Sequence, residues 1–232
     1  MAGLLFVLAH PDDETISAGT IARYTSAGVR AGLICATRGE RGSTADLCTT
    51  EELPEAREAE LREAARILGI AEVEMLPYED QKLWSAPLDD IRRQLVMSVR
   101  RQRPEIVISF DPNGANQHTD HMSISRFVMD AVSASADSRW YPEAGAPHTI
   151  ERLLWQWLPA PGAKLEQHPG ADFLIDVAAF KERKQAAFRA HRTQLPGLEN
   201  LFRMPPRLAL ECFRLGWGRR PRAVPAADLF AL

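Results

Sequence analysis

Short apolar runs alternate with amphipathic segments along most of this 232-residue sequence, and this alternation limits the possible folds more than any other feature. The apolar runs suit strands that are buried on both faces, and they cover residues 3–9, 29–37, 72–76 and 105–110. Apolar residues at helical spacing predict helices over residues 15–27, 54–68, 88–102 and 121–134. Strands that alternate with helices of about 12 to 15 residues predict an α/β fold with a mostly parallel, doubly wound sheet flanked by helices.

The alternation weakens beyond residue 139, where two more strands and one helix are predicted. The strands cover residues 152–158 and 172–177, and a basic amphipathic helix covers residues 178–192. The stretches 141–149 and 159–170 are rich in proline and glycine and are predicted to be loops.

The length and the absence of an internal repeat or linker indicate one domain over residues 1–232. Within it we distinguish an α/β core at about 3–140, C-terminal strands and a helix at about 150–195, and a tail at 196–232. One prediction about packing is specific: the helix over residues 88–102 should face the sheet with Leu88, Ile91, Leu95 and Val99.

Charge and cysteine content exclude several classes of protein. The 28 Lys and Arg residues and 31 Asp and Glu residues give a formal net charge of −3, which provides no large field for nucleic acid or a membrane surface. The three cysteines form no CxxC pair, which argues against a disulfide framework and a thiolate zinc site. The apolar runs are too short for a signal peptide or for the roughly 18 residues of a membrane span, so a cytoplasmic location is expected.

Two polar clusters follow predicted strands, at positions where open α/β sheets bind their ligands. The cluster "HPDDE" (10–14) follows the first strand, and "DPNGANQHTDH" (111–121) follows the fourth. Because doubly wound sheets commonly place the first strand beside a later central strand, the two clusters are expected to converge. Together they supply His10, Asp12, Asp13, His118, Asp120 and His121. Catalytic zinc typically has three protein ligands and one position for water, and a His, Asp, His set suits it.

The spacing alone leaves the roles of these residues open. Asp12 and Asp13 should point in different directions, so that one can bind a metal while the other faces a substrate. His118 and His121 lie three residues apart at a predicted helix start and can share a site without both binding the ion. A purely structural explanation competes for Asp120, since an aspartate before a helix is commonly an N-cap.

Four motifs in the sequence resemble those of a known enzyme family. They are "AHPDDE" (9–14), "TRGERG" (37–42), "DPNGANQHTDH" (111–121) and "AHRTQ" (190–194). In combination they are similar to the LmbE-like zinc deacetylases, which include N-acetylglucosaminylphosphatidylinositol de-N-acetylases and deacetylases of the mycothiol and bacillithiol pathways. The likeness covers about residues 3–195. The sequence departs from the family at Gln117, where a glycine is usual.

The resemblance implies a division of roles among the clustered residues. It implies that zinc is bound by His10, Asp13 and His121 and that Asp12 is the general base. It also implies that His118, in its protonated form, stabilises the oxyanion of the reaction.

The resemblance further implies supporting and substrate-binding residues. Asp120 is expected to orient a histidine, either by keeping His118 cationic or by supporting His121. The residues expected to contact substrate are Ser17, Arg57 and Asp80.

The family likeness implies a single-domain, Rossmann-like zinc hydrolase that removes the acetyl group from an N-acetylglucosamine-type amide. The expected partner is a small-molecule N-acetylated amino sugar. Two alternatives remain: a metal-dependent phosphoester hydrolase that uses the paired aspartates, and a non-catalytic sugar-binding module on the same fold. The histidine-rich set favours zinc over magnesium, the sequence has no GxxxxGK[ST] phosphate loop, and the complete His and Asp set argues against a binding module.

A few residues have no settled role in the sequence. His191 lies on the same helical stripe as Phe188, so core packing competes with an active-site role. Glu14 is expected to form a hydrogen bond within its turn or to a ligand. Trp155 and Trp157 share one face of a predicted strand and suit either the core or a subunit interface, which permits a homo-oligomer.

Overall fold

A seven-stranded sheet forms the centre of the protein in a computed structural model, which describes residues 3–157, 170–196 and 209–231. The strands are β1 (Gly3–Leu8), β2 (Arg30–Thr37), β3 (Glu72–Tyr78), β4 (Ile106–Phe110), β5 (Arg152–Gln156), β6 (Phe173–Asp176) and β7 (Leu210–Gly218). Their order across the sheet is β3-β2-β1-β4-β5-β7-β6. The first five in this order run parallel, and β7 runs antiparallel to both of its neighbours.

Helices flank the sheet in two groups. They are α1 (Ala18–Ser26), α2 (Leu53–Leu68), α3 (Leu88–Gln102), α4 (Gly114–Gln117), α5 (Thr119–Ser135) and α6 (Lys181–Ala190), with 3-10 turns at Asp13–Ser17, Leu83–Ser85, Pro142–Ala144 and Ala178–Phe180. Helices α1, α2 and α6 pack together, and α3 packs against α5. The predicted α/β fold with a mostly parallel, doubly wound sheet is confirmed. No helix of the described residues is both long enough and apolar enough to cross a membrane.

The central strands show why the sequence forms this sheet. Leu5 and Phe6 on β1 and Ile108 on β4 have no exposed surface. A continuous apolar run is required in such strands because helices cover both faces of the sheet. Helix α2 ends at Gly69, whose φ of 76° lies in the left-handed region that glycine adopts without a steric cost.

The path of the chain creates a crevice at the centre of the sheet. The chain runs outward from β1 through β2 to β3 and then returns to place β4 on the other side of β1. The loops that follow β1 and β4 therefore leave the same edge of the sheet in opposite directions, which is where ligands bind in folds of this type.

Three sequence-based predictions need correction or fall outside the described residues. The tail at 196–232 was given no strand, but β7 lies within it and is inserted between β5 and β6. Leu88 was predicted to face the sheet, but it is half exposed because it lies in the first turn of α3, beyond the covered surface. Of the predicted loop at 159–170, all but residue 170 lies outside the described residues.

The missed strand β7 supports the first helix through Glu211. The Glu211 carboxylate accepts hydrogen bonds from the backbone N–H groups of Gly19 and Thr20 at 2.9 and 2.7 Å. It also forms a buried ion pair with Lys184 on α6 at 2.5 Å. A residue far along the chain thus satisfies the first N–H groups of α1, which have no partner within the helix.

We predict that Glu211→Ala lowers the free energy of unfolding by about 3 to 5 kcal/mol, because it removes the buried carboxylate that pairs with Lys184 and accepts hydrogen bonds from two backbone N–H groups. Urea unfolding followed by circular dichroism measures the change. Glu143→Ala is the control, since Glu143 pairs with Arg93 at an exposed position and should cost far less. Equal losses for the two variants would contradict the role assigned to Glu211.

Candidate active site

The loops that follow β1 and β4 meet at the carboxyl edge of the sheet. The imidazole of His10, just after β1, lies 5.2 Å from that of His121 on α5, measured between ring centroids. The two residues are 111 positions apart in the sequence. The predicted convergence of the two polar clusters is therefore observed.

Three side chains that were expected to bind a metal surround one point. His10 Nδ1 lies 3.2 Å from His121 Nε2. The Asp13 carboxylate contacts both rings, with Oδ1 3.3 Å from His121 Nε2 and Oδ2 3.6 Å from His10 Nδ1. Atoms that bind one ion tetrahedrally at about 2 Å lie about 3.3 Å from one another. The separations in this structure match that arrangement.

Hydrogen bonds on the far sides of the two rings determine which nitrogens face this point. His121 Nδ1 donates to the carbonyl oxygen of Gly114 at 3.2 Å. His10 Nε2 donates to Asp120 and Asp80 at 3.2 and 3.1 Å. In the neutral rings, the facing nitrogens therefore present lone pairs. Two lone pairs and a carboxylate directed at one point require a positive charge between them, so these residues fit a metal ion.

The pKa values of the same residues reflect this concentration of acceptors. Burial opposes a charge on His10, but hydrogen bonds to Asp120, Asp13 and Asp80 outweigh burial and raise its pKa well above the ordinary value. Burial also opposes the charge on Asp13, but His121 and His10 outweigh it and hold the pKa of that carboxyl well below its usual range. The two shifts in pKa reflect how closely the histidines and carboxylates of this cluster face one another.

Asp120 orients His10 and not either histidine of its own motif. Its carboxylate is fully buried and accepts hydrogen bonds from the backbone N–H groups of Gln81 and Leu83 at 2.6 and 3.1 Å, in addition to its contact with His10. These two donors belong to the loop after β3. The sequence pattern did not predict that this loop reaches the site. The hydrogen bonds from the two donors hold the Asp120 carboxylate at His10 Nε2, on the side of the ring opposite Asp13 and His121.

His118 lies beside His10 and His121, with ring centroids 4.8 and 4.7 Å away. It precedes α5, and its Nδ1 accepts a hydrogen bond from the backbone N–H of Asp120 at 3.2 Å, so the proton of the ring is on Nε2. Burial, followed by repulsion from His10 and His121, lowers the pKa of His118. The Asp120 carboxylate binds His10 and two backbone N–H groups, and a role of Asp120 in keeping His118 cationic stays a prediction.

Asp12 lies next to the residues that are expected to bind a metal, and its backbone conformation is unusual. Its φ of 111° is rarely adopted by residues with a side chain. The Asp12 carboxylate contacts the Arg57 guanidinium at 3.2 Å. Burial raises the pKa of Asp12 to about 6, while Arg57 opposes that rise and Asp13 adds to it. A carboxyl with a pKa near 6 is suited to exchange protons near neutral pH.

The "TRGERG" segment forms a cradle for Arg57. Arg57 donates hydrogen bonds to the carbonyl oxygens of Gly39, at 2.8 Å, and of Pro11. A Cβ atom at Gly39 would collide with the guanidinium, and one at Gly42 would lie 2.7 Å from it. Arg57 is 4% exposed and holds the loop that carries Asp12, whereas the sequence analysis expected it to contact substrate.

The other two expected substrate contacts are also buried and have protein partners. Ser17 donates a hydrogen bond to Gln156 Oε1 at 2.5 Å. Asp80 contacts His10 and accepts a hydrogen bond from the backbone N–H of Arg41 at 3.0 Å. Both side chains are buried, and their contact with a substrate stays a prediction.

A further buried histidine, His191, lies near Asp12. His191 Nε2 contacts Glu14 Oε1 at 2.5 Å, and both side chains are buried. Burial opposes a charge on His191, but the Glu14 carboxylate outweighs it and raises the pKa of the imidazole. The motif "AHRTQ" was the sequence signal for this contact, although its spacing could not show which residue His191 meets.

The segment between β4 and α5 adopts several left-handed conformations. Gly114 has a φ of 68°, and a Cβ there would lie 2.9 Å from the backbone nitrogen of Met122. Gln117, the departure from the family pattern, has a φ of 65°, in the region that favours glycine. Gln117 therefore has a backbone conformation that is typical of glycine, the residue usual at this position in the family.

Comparisons with known proteins identify a matching family and several similar proteins. The profile of the family described as GlcNAc-PI de-N-acetylase (PIG-L) matches residues 5–132. The sequence is 32% identical to 1D-myo-inositol 2-acetamido-2-deoxy-alpha-D-glucopyranoside deacetylase of Streptomyces scabiei, over 98% of this chain and 88% of that protein. A conserved protein from Thermus thermophilus is 30% identical, with a TM-score of 0.77 over 98% of this chain and 100% of that one. N,N'-diacetylchitobiose deacetylase from Pyrococcus horikoshii, 23% identical, has a similar fold, with a TM-score of 0.76 over 92% of this chain and 83% of that one.

We predict that Gly39→Ala destabilises the protein more than Gly28→Ala. Both glycines have positive φ values, so both variants carry a backbone cost of about 1 to 2 kcal/mol. Only the Cβ at position 39 collides with Arg57, whereas nothing lies within 4 Å of one at position 28. The crowding should add about 1 to 3 kcal/mol. Urea unfolding of the two variants measures the difference, and equal losses would contradict the cradle.

Proposed function

The chain belongs to the GlcNAc-PI de-N-acetylase family, and we propose that it removes the acetyl group from an N-acetylglucosamine-type amide with zinc held by His10, Asp13 and His121. Its class, an amide-hydrolysing N-deacetylase, follows from the family. The observation that carries the proposal is the pair of imidazole nitrogens 3.2 Å apart that face the Asp13 carboxylate. Asp12 lies next to this set with its own carboxylate bound to Arg57.

The donor set supports zinc as the metal. Two imidazoles and one carboxylate are typical of catalytic zinc, whereas magnesium prefers oxygen ligands. When bound, zinc polarises a carbonyl group and lowers the pKa of a coordinated water to about 7. His10 would bind through Nδ1 and His121 through Nε2, since their other nitrogens donate to protein acceptors.

Asp12 transfers the proton in the proposed reaction. Its carboxylate accepts a proton from the water molecule that attacks the acetamide carbonyl carbon. It returns this proton to the nitrogen as the amide C–N bond breaks, so that water and the amide yield acetate and an amine. The Nε2–H of His118 donates to the carbonyl oxygen as it becomes negative, and such donors contribute about 3 to 4 kcal/mol.

The substrate we propose is a small-molecule N-acetylated amino sugar. The name of the Streptomyces scabiei relative, a deacetylase of a 2-acetamido-2-deoxy-alpha-D-glucopyranoside, supports this class. The family supports deacetylation over the phosphoester hydrolase and the non-catalytic sugar-binding module. Substrate contact by Ser17, Arg57 and Asp80 stays a prediction, as do a cytoplasmic location and a homo-oligomer.

The test of the proposed function uses the purified protein with a panel of substrates. The panel contains N-acetylglucosaminides with different aglycones, including myo-inositol, and p-nitrophenyl phosphate. Released amine, released phosphate and bound metal are measured in parallel. Amine release by a protein with one zinc per chain is expected. Activity on the phosphoester alone, or binding of the sugars without turnover, would overturn the proposal.

We predict that Asp12→Asn retains zinc but lowers kcat by about 10²- to 10⁴-fold, because the amide cannot accept a proton from water. Turnover is measured by amine release and zinc by mass spectrometry. Asp90→Asn, at an exposed position on α3, is the control and should keep wild-type turnover. A kcat for Asp12→Asn equal to that of the control would rule out Asp12 as the general base.

We predict that His121→Ala and His118→Ala separate metal binding from oxyanion stabilisation. His121→Ala removes a proposed ligand and should lose zinc during dialysis, together with activity. His118→Ala should keep zinc, with kcat lowered by about 10²- to 10³-fold. Zinc content after dialysis and amine release are the measurements. Loss of zinc from the His118 variant with retention in the His121 variant would reverse the assignment.

A further inference from the structure

A buried contact joins two distant parts of the chain directly behind Asp12. His191, at the end of α6, contacts Glu14 in the "HPDDE" loop at 2.5 Å across 177 positions of sequence. The exposed fractions of the two side chains are 0% and 1%. The free-energy cost of removing two charged groups from water can cancel the attraction between them. We therefore ask which local conformation the contact between His191 and Glu14 maintains.

The second oxygen of Glu14 shows which conformation is imposed. Glu14 Oε2 accepts a hydrogen bond from the backbone N–H of Asp12 at 3.1 Å. Asp12 has a φ of 111°, which a residue with a side chain adopts only where its surroundings hold it. One Glu14 oxygen therefore receives His191 while the other fixes the backbone of the proposed base.

The position of His191 is itself fixed by α2. Thr193 donates from its backbone nitrogen and its hydroxyl to the two carboxylate oxygens of Glu60 on α2, at 2.9 and 2.7 Å. The same helix carries Arg57, which contacts the Asp12 carboxylate. Helix α2 therefore reaches Asp12 by two routes. Arg57 contacts the Asp12 carboxylate, and Glu60 holds the segment of His191, which reaches the Asp12 backbone through Glu14.

We propose that His191 is a positioning residue for the reaction, which acts through Glu14 to hold the Asp12 backbone and so to direct the Asp12 carboxylate. The effect on turnover rests on the proposed function, whereas the effect on the Asp12 backbone does not. A histidine that only fills space would act differently. Its loss would lower stability without a selective effect on kcat or on the loop after β1.

The test compares four variants of the full chain. His191→Leu removes the donor to Glu14, and His191→Gln keeps an N–H donor at a similar reach. Glu14→Gln replaces one of the two acceptor oxygens by an NH2 donor, which would face either the Nε2–H of His191 or the backbone N–H of Asp12. Lys184→Met is the matched control, because it breaks another buried ion pair of α6, with Glu211, that does not contact Asp12.

Three measurements are made on each variant: kcat and KM for amine release, zinc content, and hydrogen exchange of a peptide that covers residues 9–15. We expect His191→Leu and Glu14→Gln to lower kcat by about 10- to 100-fold. KM should stay within about twofold of wild type and zinc content unchanged. Exchange in the 9–15 peptide should be faster in both variants.

The conservative variant and the control decide whether the effect is positional. His191→Gln should recover kcat to within about fivefold of wild type, and Lys184→Met should lower the melting temperature while kcat and exchange in the 9–15 peptide stay unchanged.

Wild-type kcat and exchange in both His191→Leu and Glu14→Gln would overturn the inference. So would an equal loss of kcat in Lys184→Met. If His191→Leu does not fold, Glu14→Gln decides alone. If the wild-type chain deacetylates no substrate, the proposed function fails, and the exchange measurement still tests the control of the Asp12 backbone.

Discussion

The contacts of the Asp13 carboxylate are the constraint on which the rest of the site depends. Its Oδ2 accepts hydrogen bonds from the backbone N–H groups of Ala9 and His10 and closes the turn after β1, while Oδ1 faces His121. A carboxylate in this buried position is costly unless positive charge compensates it. The compensation comes from His10 in the loop after β1, from His121 in the first turn of α5 and, in our proposal, from zinc. The two loops can meet only because β1 and β4 are neighbours in the sheet.

His10, Asp12 and His118 are each held by a partner within the protein. Asp120 fixes the ring of His10, and Arg57 holds the carboxylate of Asp12. The backbone at the start of α5 sets the tautomer of His118. These partners come from α2, α5 and the loops between elements, so the geometry of the site depends on the packing of helices on both faces of the sheet. Two of these partners, Asp120 and Arg57, are themselves buried.

The sequence was sufficient for the features that depend on local pattern. The alternation of strands and helices predicted the doubly wound sheet, and the position of the two polar clusters after strands predicted that His10 and His121 would meet. Partners that depend on packing could not be predicted. Asp120 was expected to act on the histidines of its own motif, because spacing shows which residues are close in sequence but not where a carboxylate points. Strand β7 was missed because it completes the sheet from a part of the chain with a weak periodic pattern, and its Glu211 acts on a helix 191 to 192 positions earlier.

The central claim is that one zinc ion is bound by His10 Nδ1, Asp13 and His121 Nε2, and that Asp12 does not bind the ion and acts as the general base. Two sets of side chains compete with this one, His10 with His118 and His121, and His10 with Asp80 and Asp120, because each has potential ligand atoms within 4.8 Å of one another. A crystal structure of the zinc-loaded protein, with anomalous data at the zinc absorption edge, distinguishes the three arrangements. Our account predicts zinc on the Nδ1 side of His10, bound also to Asp13 and His121. Zinc on the Nε2 side of His10 with Asp80 and Asp120, or bound to Asp12, would contradict it.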